Sequence, residues 1–125
     1  MKAAMPYLIF NGDAFDALEY YKEIFLDFDI LQMTNYDSSN KIQQAVIRMS
    51  NLHLIIGDSE LPEPSQNSPE TSIYIECDDL NEIEMLYRKL KRKGVIHVPL
   101  DDYEISKRYA WIQDKFGVYW QLNLS

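Results

Sequence analysis

Asp58-Ser59-Glu60-Leu61-Pro62-Glu63-Pro64-Ser65-Gln66-Asn67-Ser68-Pro69 stands at the middle of a 125-residue chain. Proline has no amide hydrogen to give to a sheet ladder, so Pro62, Pro64 and Pro69 mark residues 58–69 as a connecting loop. Working back from it, Leu52–Ile56, Ile42–Met49 and Asp29–Asn35 read as strands, separated by the turn signals Ser50-Asn51 and Asp37-Ser38-Ser39-Asn40. Earlier still, Ala14, Ala17, Leu18, Tyr21 and Phe25 recur at the spacing of one buried helical face. Asp13 is placed to cap that helix, and Ala4–Phe10 reads as a strand closed by Asn11-Gly12.

Working forward from the loop, the order repeats. Ser72–Cys77 reads as a strand, and Asp79 with Glu82 resembles a capping box. Leu80, Ile83, Leu86, Tyr87 and Leu90 then form the apolar face of a second helix, stopped at Gly94. Val95–Val98, Arg108–Gln113 and Val118–Leu124 follow as strands, the last two joined by a turn at Asp114-Lys115-Phe116-Gly117. The helix-start aspartates Asp13 and Asp79 lie 66 positions apart, although the halves share little identity, so the repeat is one of pattern. One helix per half supplies too few crossovers for an all-parallel sheet. The expected fold is therefore α+β: two βαβββ modules whose curved mixed sheets, each covered by a helix on one face, surround a cavity. The expected organisation is one domain over residues 1–125, with half-modules 1–57 and 70–125 joined by loop 58–69.

The formal charge of −8 repels polyphosphate and argues against nucleic acid as a partner. Arg88, Lys89, Lys91, Arg92 and Lys93 are a local exception. Their plain structural reading is a basic helix C-terminus that complements the dipole, and the alternative is a regulatory anion site. No apolar run approaches the roughly 20 residues that a bilayer requires, so no membrane partner is expected. Residues 1–6 do not read as a secretory signal, and the single cysteine, Cys77, fits a reducing cytoplasm.

Pro6-Tyr7-Leu8-Ile9-Phe10-Asn11-Gly12, with Ala17 to Phe25, resembles the opening of PhnB-like proteins in the glyoxalase/bleomycin-resistance group of the vicinal-oxygen-chelate superfamily. Arg108 to Leu122 is similar to the closing segment of that family, and Leu54-Ile55-Ile56-Gly57-Asp58 matches the strand that ends its first half. The resemblance implies the paired-module fold, with a divalent metal on the concave sheet face of those members that have chemistry. Their ligands are His or Glu from the first and last strand of each half. The equivalents in this chain fall near Pro6, His53, Ser72 and Gln121, of which only His53 is a strong ligand. Because neither outer strand contains His, Asp or Glu, no metal site and no cofactor are expected.

If Gln121 faces the cavity, the period of two places Tyr119 and Asn123 beside it and turns Val118, Trp120 and Leu122 toward a helix. On the fifth strand the same logic turns Ser72, Tyr74 and Glu76 inward; on the first, Pro6, Leu8 and Phe10. The expected ligand-binding set is thus Phe10, His53, Ser72, Tyr74, Glu76, Trp111, Tyr119 and Gln121, largely aromatic with a few polar groups. The plain alternative is that these side chains meet water or fill an interface. Glu76 is a candidate general base if burial raises its pKa. Cys77 lacks an activating base and reads as packing.

The expected function is binding of a small organic ligand, in the manner of the resistance proteins of the superfamily. The alternative is a lyase, isomerase or dioxygenase that uses a displaced metal or Glu76. Family relatives are sometimes labelled methyltransferases, but no glycine-rich loop opens a helix after the first strand to seat a nucleotide-type cofactor. Nine tyrosines, five phenylalanines and two tryptophans exceed what two small modules need bury, which favours a homodimer.

Overall fold

A computed structural model describes residues 1–37, 39–61 and 67–125. Ser38, Pro62 and Pro64, part of the turn and loop expected from the sequence, lie outside the described residues. The chain divides into two compact units, Met1–Gln66 and Asn67–Ser125. In the first, β1 (Tyr7–Phe10), α1 (Ala14–Ile24), β2 (Phe28–Asn35), β3 (Ile42–Met49) and β4 (Leu52–Asp58) succeed one another. In the second the order is β5 (Ile73–Glu76), α2 (Leu80–Leu90), β6 (Val95–Tyr103), β7 (Ser106–Gln113) and β8 (Tyr119–Leu124).

The sheets are ordered β1-β4-β3-β2 and β5-β8-β7-β6. Each has one parallel pair, β1 with β4 and β5 with β8, and is otherwise antiparallel. The expected α+β architecture of two βαβββ modules with mixed sheets is the one observed. α1 buries Ala14, Ala17, Leu18, Tyr21 and Ile24, and Phe25 is buried as its extended C-cap. α2 buries Ile83, Leu86 and Leu90, whereas Leu80 in its first turn is exposed. Tyr87 is half-buried, with Lys91 Nζ 4.9 Å from its ring centroid.

The helix entries differ from expectation in one case. Asp79 accepts from Glu82 N at 2.8 Å, and Glu82 Oε1 accepts from Asp78 N at 2.7 Å, so α2 has its capping box. Asp13 makes no side-chain cap among the described residues. Its backbone (φ −100°, ψ 5°) is not the extended conformation from which a capping side chain folds back. The buried Asp58, at the end of β4, caps α1 instead: Oδ1 accepts from Gly12 N at 2.8 Å and Ala14 N at 3.0 Å, and Oδ2 from Ile42 N at 3.0 Å.

That arrangement corrects the expected parity of the first strand. Phe10 pairs in register with Asp58, and Leu8 with Ile56, so Leu8 and Phe10 share the face that carries Asp58 to α1. Phe10 is 3% exposed there, while Tyr7 and Ile9 on the opposite face are each 41% exposed. Phe10 is therefore core and not cavity-facing. The elements keep the 66-residue offset, Tyr7–Phe10 against Ile73–Glu76 and Ala14–Ile24 against Leu80–Leu90, but the buried side of the first strand is reversed: Phe10 is core where its counterpart Glu76 is exposed. The expected stop after α2 needs refinement too. Lys93 takes the left-handed conformation (φ 58°), and Gly94 is required because a Cβ there would lie 2.2 Å from the carbonyl oxygen of Gln113. Finally, β6 runs to Tyr103 rather than Val98, through several register shifts around Pro99.

In the second unit Trp120 and Leu122 join Ala110, Ile112 and the buried residues of α2 in the core. Trp120 is 2% exposed, and its Nε1 donates to Asp114 Oδ2 at 2.8 Å. Asp114 Oδ1 also accepts from Phe116 N and Val118 N, which builds the expected turn. Trp120→Ala empties a large buried site and removes the indole hydrogen bond to Asp114, so it should lower stability by roughly 3–5 kcal/mol. Gln121→Ala, one residue on and half-buried, should be much milder; urea unfolding of the two variants checks the difference.

Candidate functional site

β8 alternates, so Trp120 and Leu122 point toward α2 while Tyr119, Gln121 and Asn123 point to the face away from it. Register carries that face across the sheet. Tyr74 pairs with Gln121 and Glu76 with Asn123 on one side; Tyr109 pairs with Asn123, Trp111 with Gln121 and Gln113 with Tyr119 on the other. Tyr109 Oη donates to Gln121 Oε1 at 2.6 Å. The His97 ring bridges two aromatics, its centroid 5.3 Å from that of Tyr119 and 6.1 Å from that of Trp111. Tyr103 meets Tyr109 edge to face at 6.1 Å.

The polar end of this face is built around Asn123. Its Nδ2 donates to Glu76 Oε1 at 2.7 Å and to Ser125 Oγ at 3.4 Å, and Ser125 N donates to Glu76 Oε2 at 2.9 Å. Asn123 is only 5% exposed, and its Oδ1 has no hydrogen-bond partner among the described residues. Trp111 Nε1 is likewise buried and unpartnered. Buried polar atoms are nearly always paired, so an orphaned donor and an orphaned acceptor on one aromatic face call for a partner.

The electrostatics follow from these contacts. The hydrogen bond from Asn123, then that from Ser125, holds the Glu76 carboxyl below its usual range. Glu76 is exposed, so the rise that burial would give a general base does not occur, and that expectation is corrected. Burial, then the Glu76 charge, pushes the Tyr74 phenol up, against a side-chain hydrogen bond with Asn123 that lowers it. Burial, then Tyr74 and Tyr103, does the same to Tyr109. Both phenols stay protonated at neutral pH and serve as hydrogen-bond donors.

Of the residues expected at the site, Tyr74, Glu76, Trp111, Tyr119 and Gln121 share this face. Ser72 lies one residue before β5, its hydroxyl donating to the Pro69 carbonyl at 3.3 Å. His53 is exposed in β4 of the first unit, opposite Arg48 in register. Phe10 is in the core. Sequence reasoning left Tyr109, His97 and Asn123 out of the set. Counting back by two from Trp111 finds Tyr109, and the same period from Gln121 marks Asn123; His97 carries no such signal, because β6 is irregular between Ile96 and Val98.

The donor set does not fit a divalent metal. Gln121 Oε1 and the Ser72 hydroxyl are engaged within the protein, and Pro6 has no donor atom. No group of three His, Cys, Asp or Glu side chains suited to an ion occurs among the described residues. The α1 entry does not seat a phosphate-bearing cofactor either. The amides at the α1 entry that would hold a phosphate are already bonded to Asp58.

A family model described as 3-demethylubiquinone-9 3-methyltransferase matches residues 2–123. Among solved structures, a PhnB protein from Bacillus cereus is 29% identical, covers 99% of this chain and 100% of its own, and superposes with a TM-score of 0.91. Protein PA1353 from Pseudomonas aeruginosa is 24% identical over 100% of this chain and 98% of its own, with a TM-score of 0.84. The fosfomycin resistance protein FosX from Mesorhizobium loti, 12% identical over 98% and 91% of the two chains with a TM-score of 0.62, shares the fold. No curated protein matches the chain.

Cys77 adjoins the site but packs inward, and its burial, with Glu82 and Glu76 adding to it, pushes the thiol up to about 12. Since the thiolate is the reactive form, folded protein at mildly alkaline pH should resist a thiol reagent, and one equivalent should react on unfolding. Timed reaction with a chromogenic disulfide reagent, with and without denaturant, checks this.

Proposed function

The chain belongs to the 3-demethylubiquinone-9 3-methyltransferase family of PhnB-like proteins, within the vicinal-oxygen-chelate superfamily, and from that membership we propose that it binds a small organic molecule without a bound metal. One observation carries the reading: buried Trp111 Nε1 and Asn123 Oδ1 have no partner among the described residues, on a face where His97 lies against the Trp111 and Tyr119 rings. An unsatisfied buried polar group costs about 1–3 kcal/mol, which a ligand that supplies the missing bond offsets. Tyr74, Trp111, Tyr119 and Gln121, with His97 and Tyr109, give the aromatic lining with few polar groups typical of such sites. Ser72 and Glu76 border it. An enzymatic role through Glu76 finds no support in a carboxyl held below its usual range. A methyltransferase role finds none at the α1 entry, where Asp58 takes the amides.

Native mass spectrometry of untreated protein should show a mass excess that denaturation removes and that Trp111→Phe diminishes. An unmodified mass with an empty face in a ligand-soaked crystal would count against binding. After dialysis, elemental analysis should find well below one equivalent of zinc, manganese, iron or nickel per chain; near one equivalent would overturn the metal-free reading.

The two units are proposed to act as one domain in a cytoplasmic homodimer. No helix among the described residues is long and apolar enough to cross a membrane. Tyr7, Ile9, Leu31 and Met33 leave large apolar side chains exposed on the strands of the first unit, and aromatic and methionine side chains are enriched at interfaces. Sedimentation equilibrium should give about twice the chain mass of 14.7 kDa, and a monomer mass would refute the dimer.

A further inference from the structure

The two orphaned atoms differ in kind, and the difference specifies a ligand. Trp111 Nε1 is a donor and nothing else. Asn123 carries both a donor and an acceptor, but its Nδ2 is committed to Glu76 Oε1 and Ser125 Oγ, so only Oδ1 is on offer. A carboxylate can only accept, and Glu76 therefore decides which way the Asn123 amide points. Trp111 stands opposite Gln121, and Asn123 is the next same-face residue along β8. The two residues are thus diagonal neighbours across the β7–β8 pair, which sets their backbones about 7–8 Å apart. Tyr119 and His97 add ring faces on the Trp111 side, and Tyr74 and Tyr109 on the Asn123 side. Both Glu76 oxygens are occupied, and the orphaned atoms are dipoles rather than charges, so neither orphaned contact compensates an ionised ligand group.

We propose that this face selects a neutral, planar ligand that accepts a hydrogen bond from Trp111 Nε1 and donates one to Asn123 Oδ1, with Glu76 as the positioning residue that fixes the Asn123 amide. The inference rests on the binding reading above and adds the polarity of the ligand at each end.

Four para-substituted benzenes separate the two contacts: 4'-hydroxyacetophenone (acceptor and donor), 4'-methoxyacetophenone (donor removed), 4-ethylphenol (carbonyl removed) and 4-ethyltoluene (neither). Each is titrated, below the pKa of the phenols, into full-length ¹⁵N-labelled protein. The readout is the indole N–H signals of Trp111 and Trp120, assigned by their loss in W111F and W120F. The Trp111 signal should move, and the Trp120 signal, bonded to Asp114, should not. 4'-Hydroxyacetophenone should bind most tightly, with about three- to tenfold weakening for each polar group removed. W111F should erase the advantage of the carbonyl and keep that of the hydroxyl. In E76Q the introduced amide can donate to Asn123 Oδ1 and let Asn123 turn its Nδ2 outward, so the hydroxyl should lose its advantage over the methoxy group. A merely structural role for Glu76 would leave that ratio unchanged and would overturn the assignment. Equal binding of 4-ethyltoluene and 4'-hydroxyacetophenone would overturn the polar specificity while leaving an aromatic binding face in place. If none of the four moves the Trp111 signal, both the specificity and the binding reading fall.

Discussion

Asp58 ties together three pieces of the first unit, accepting hydrogen bonds from Gly12 and Ala14 at the entry to α1 and from Ile42 at the start of β3. A buried carboxylate is tolerable only when its oxygens are hydrogen-bonded, so the three segments and the end of β4 must converge. Because Asp58 lies beside Phe10 in the parallel β1–β4 pair, the same contact decides which side of β1 meets the helix. The second unit meets its requirements differently. Its helix entry is closed locally by Asp79 and Glu82, and its buried aspartate, Asp114, shapes the β7–β8 turn and anchors Trp120. The end of the β5–β8 pair is thereby free of a capping duty, and Glu76 and Asn123 at that end turn to the face away from α2.

Much of the fold was legible because hydrophobic periodicity and turn chemistry agreed. The helical spacing of Ala14, Ala17, Leu18 and Tyr21, and the separation of polar from apolar residues along β5 and β8, each have one good solution. The first strand had two. Tyr7-Leu8-Ile9-Phe10 is apolar at every position, so alternation cannot choose its buried side, and the register taken from the resemblance at Pro6 chose wrongly. The buried side becomes visible only once Asp58 is seen to bond the Gly12 amide, a contact across 46 positions that local pattern cannot encode. β6 was under-read for a related reason. Pro99 and the acidic pair Asp101-Asp102 read as a loop, yet an edge strand tolerates both, and β6 is the edge of its sheet.

For the site, the alternation of β8 was informative and the chemistry of single residues was less so. Gln121 drew attention through the metal ligand it resembles by position, but its amide oxygen serves Tyr109. Asn123, a neighbour in the same alternation, carries the orphaned acceptor. Nothing in a sequence distinguishes an asparagine whose amide is satisfied from one whose oxygen is left over; that depends on Glu76 reaching it across a parallel strand pair, 47 positions away. Glu76 was noticed as a base that burial would raise, but it is exposed and its oxygens accept from Asn123 and Ser125, which hold it low.

The protonation states on this face bear on what it can do. A general base that works near neutral pH needs a carboxyl raised by burial or by a like charge. Glu76 has two donors fixed on its oxygens, which pull it the other way. The flanking phenols of Tyr74 and Tyr109 are pushed up, which keeps them protonated and makes them poorer proton acceptors. The carboxylate is thus held charged and the phenols neutral, and each group keeps one state across the physiological range. Such a face would need little change to take the neutral ligand proposed for it, since the groups around Glu76 are already fixed by hydrogen bonds. That is the property expected of a preorganised binding surface, and it fits a carboxylate and two phenols that are not poised to exchange a proton.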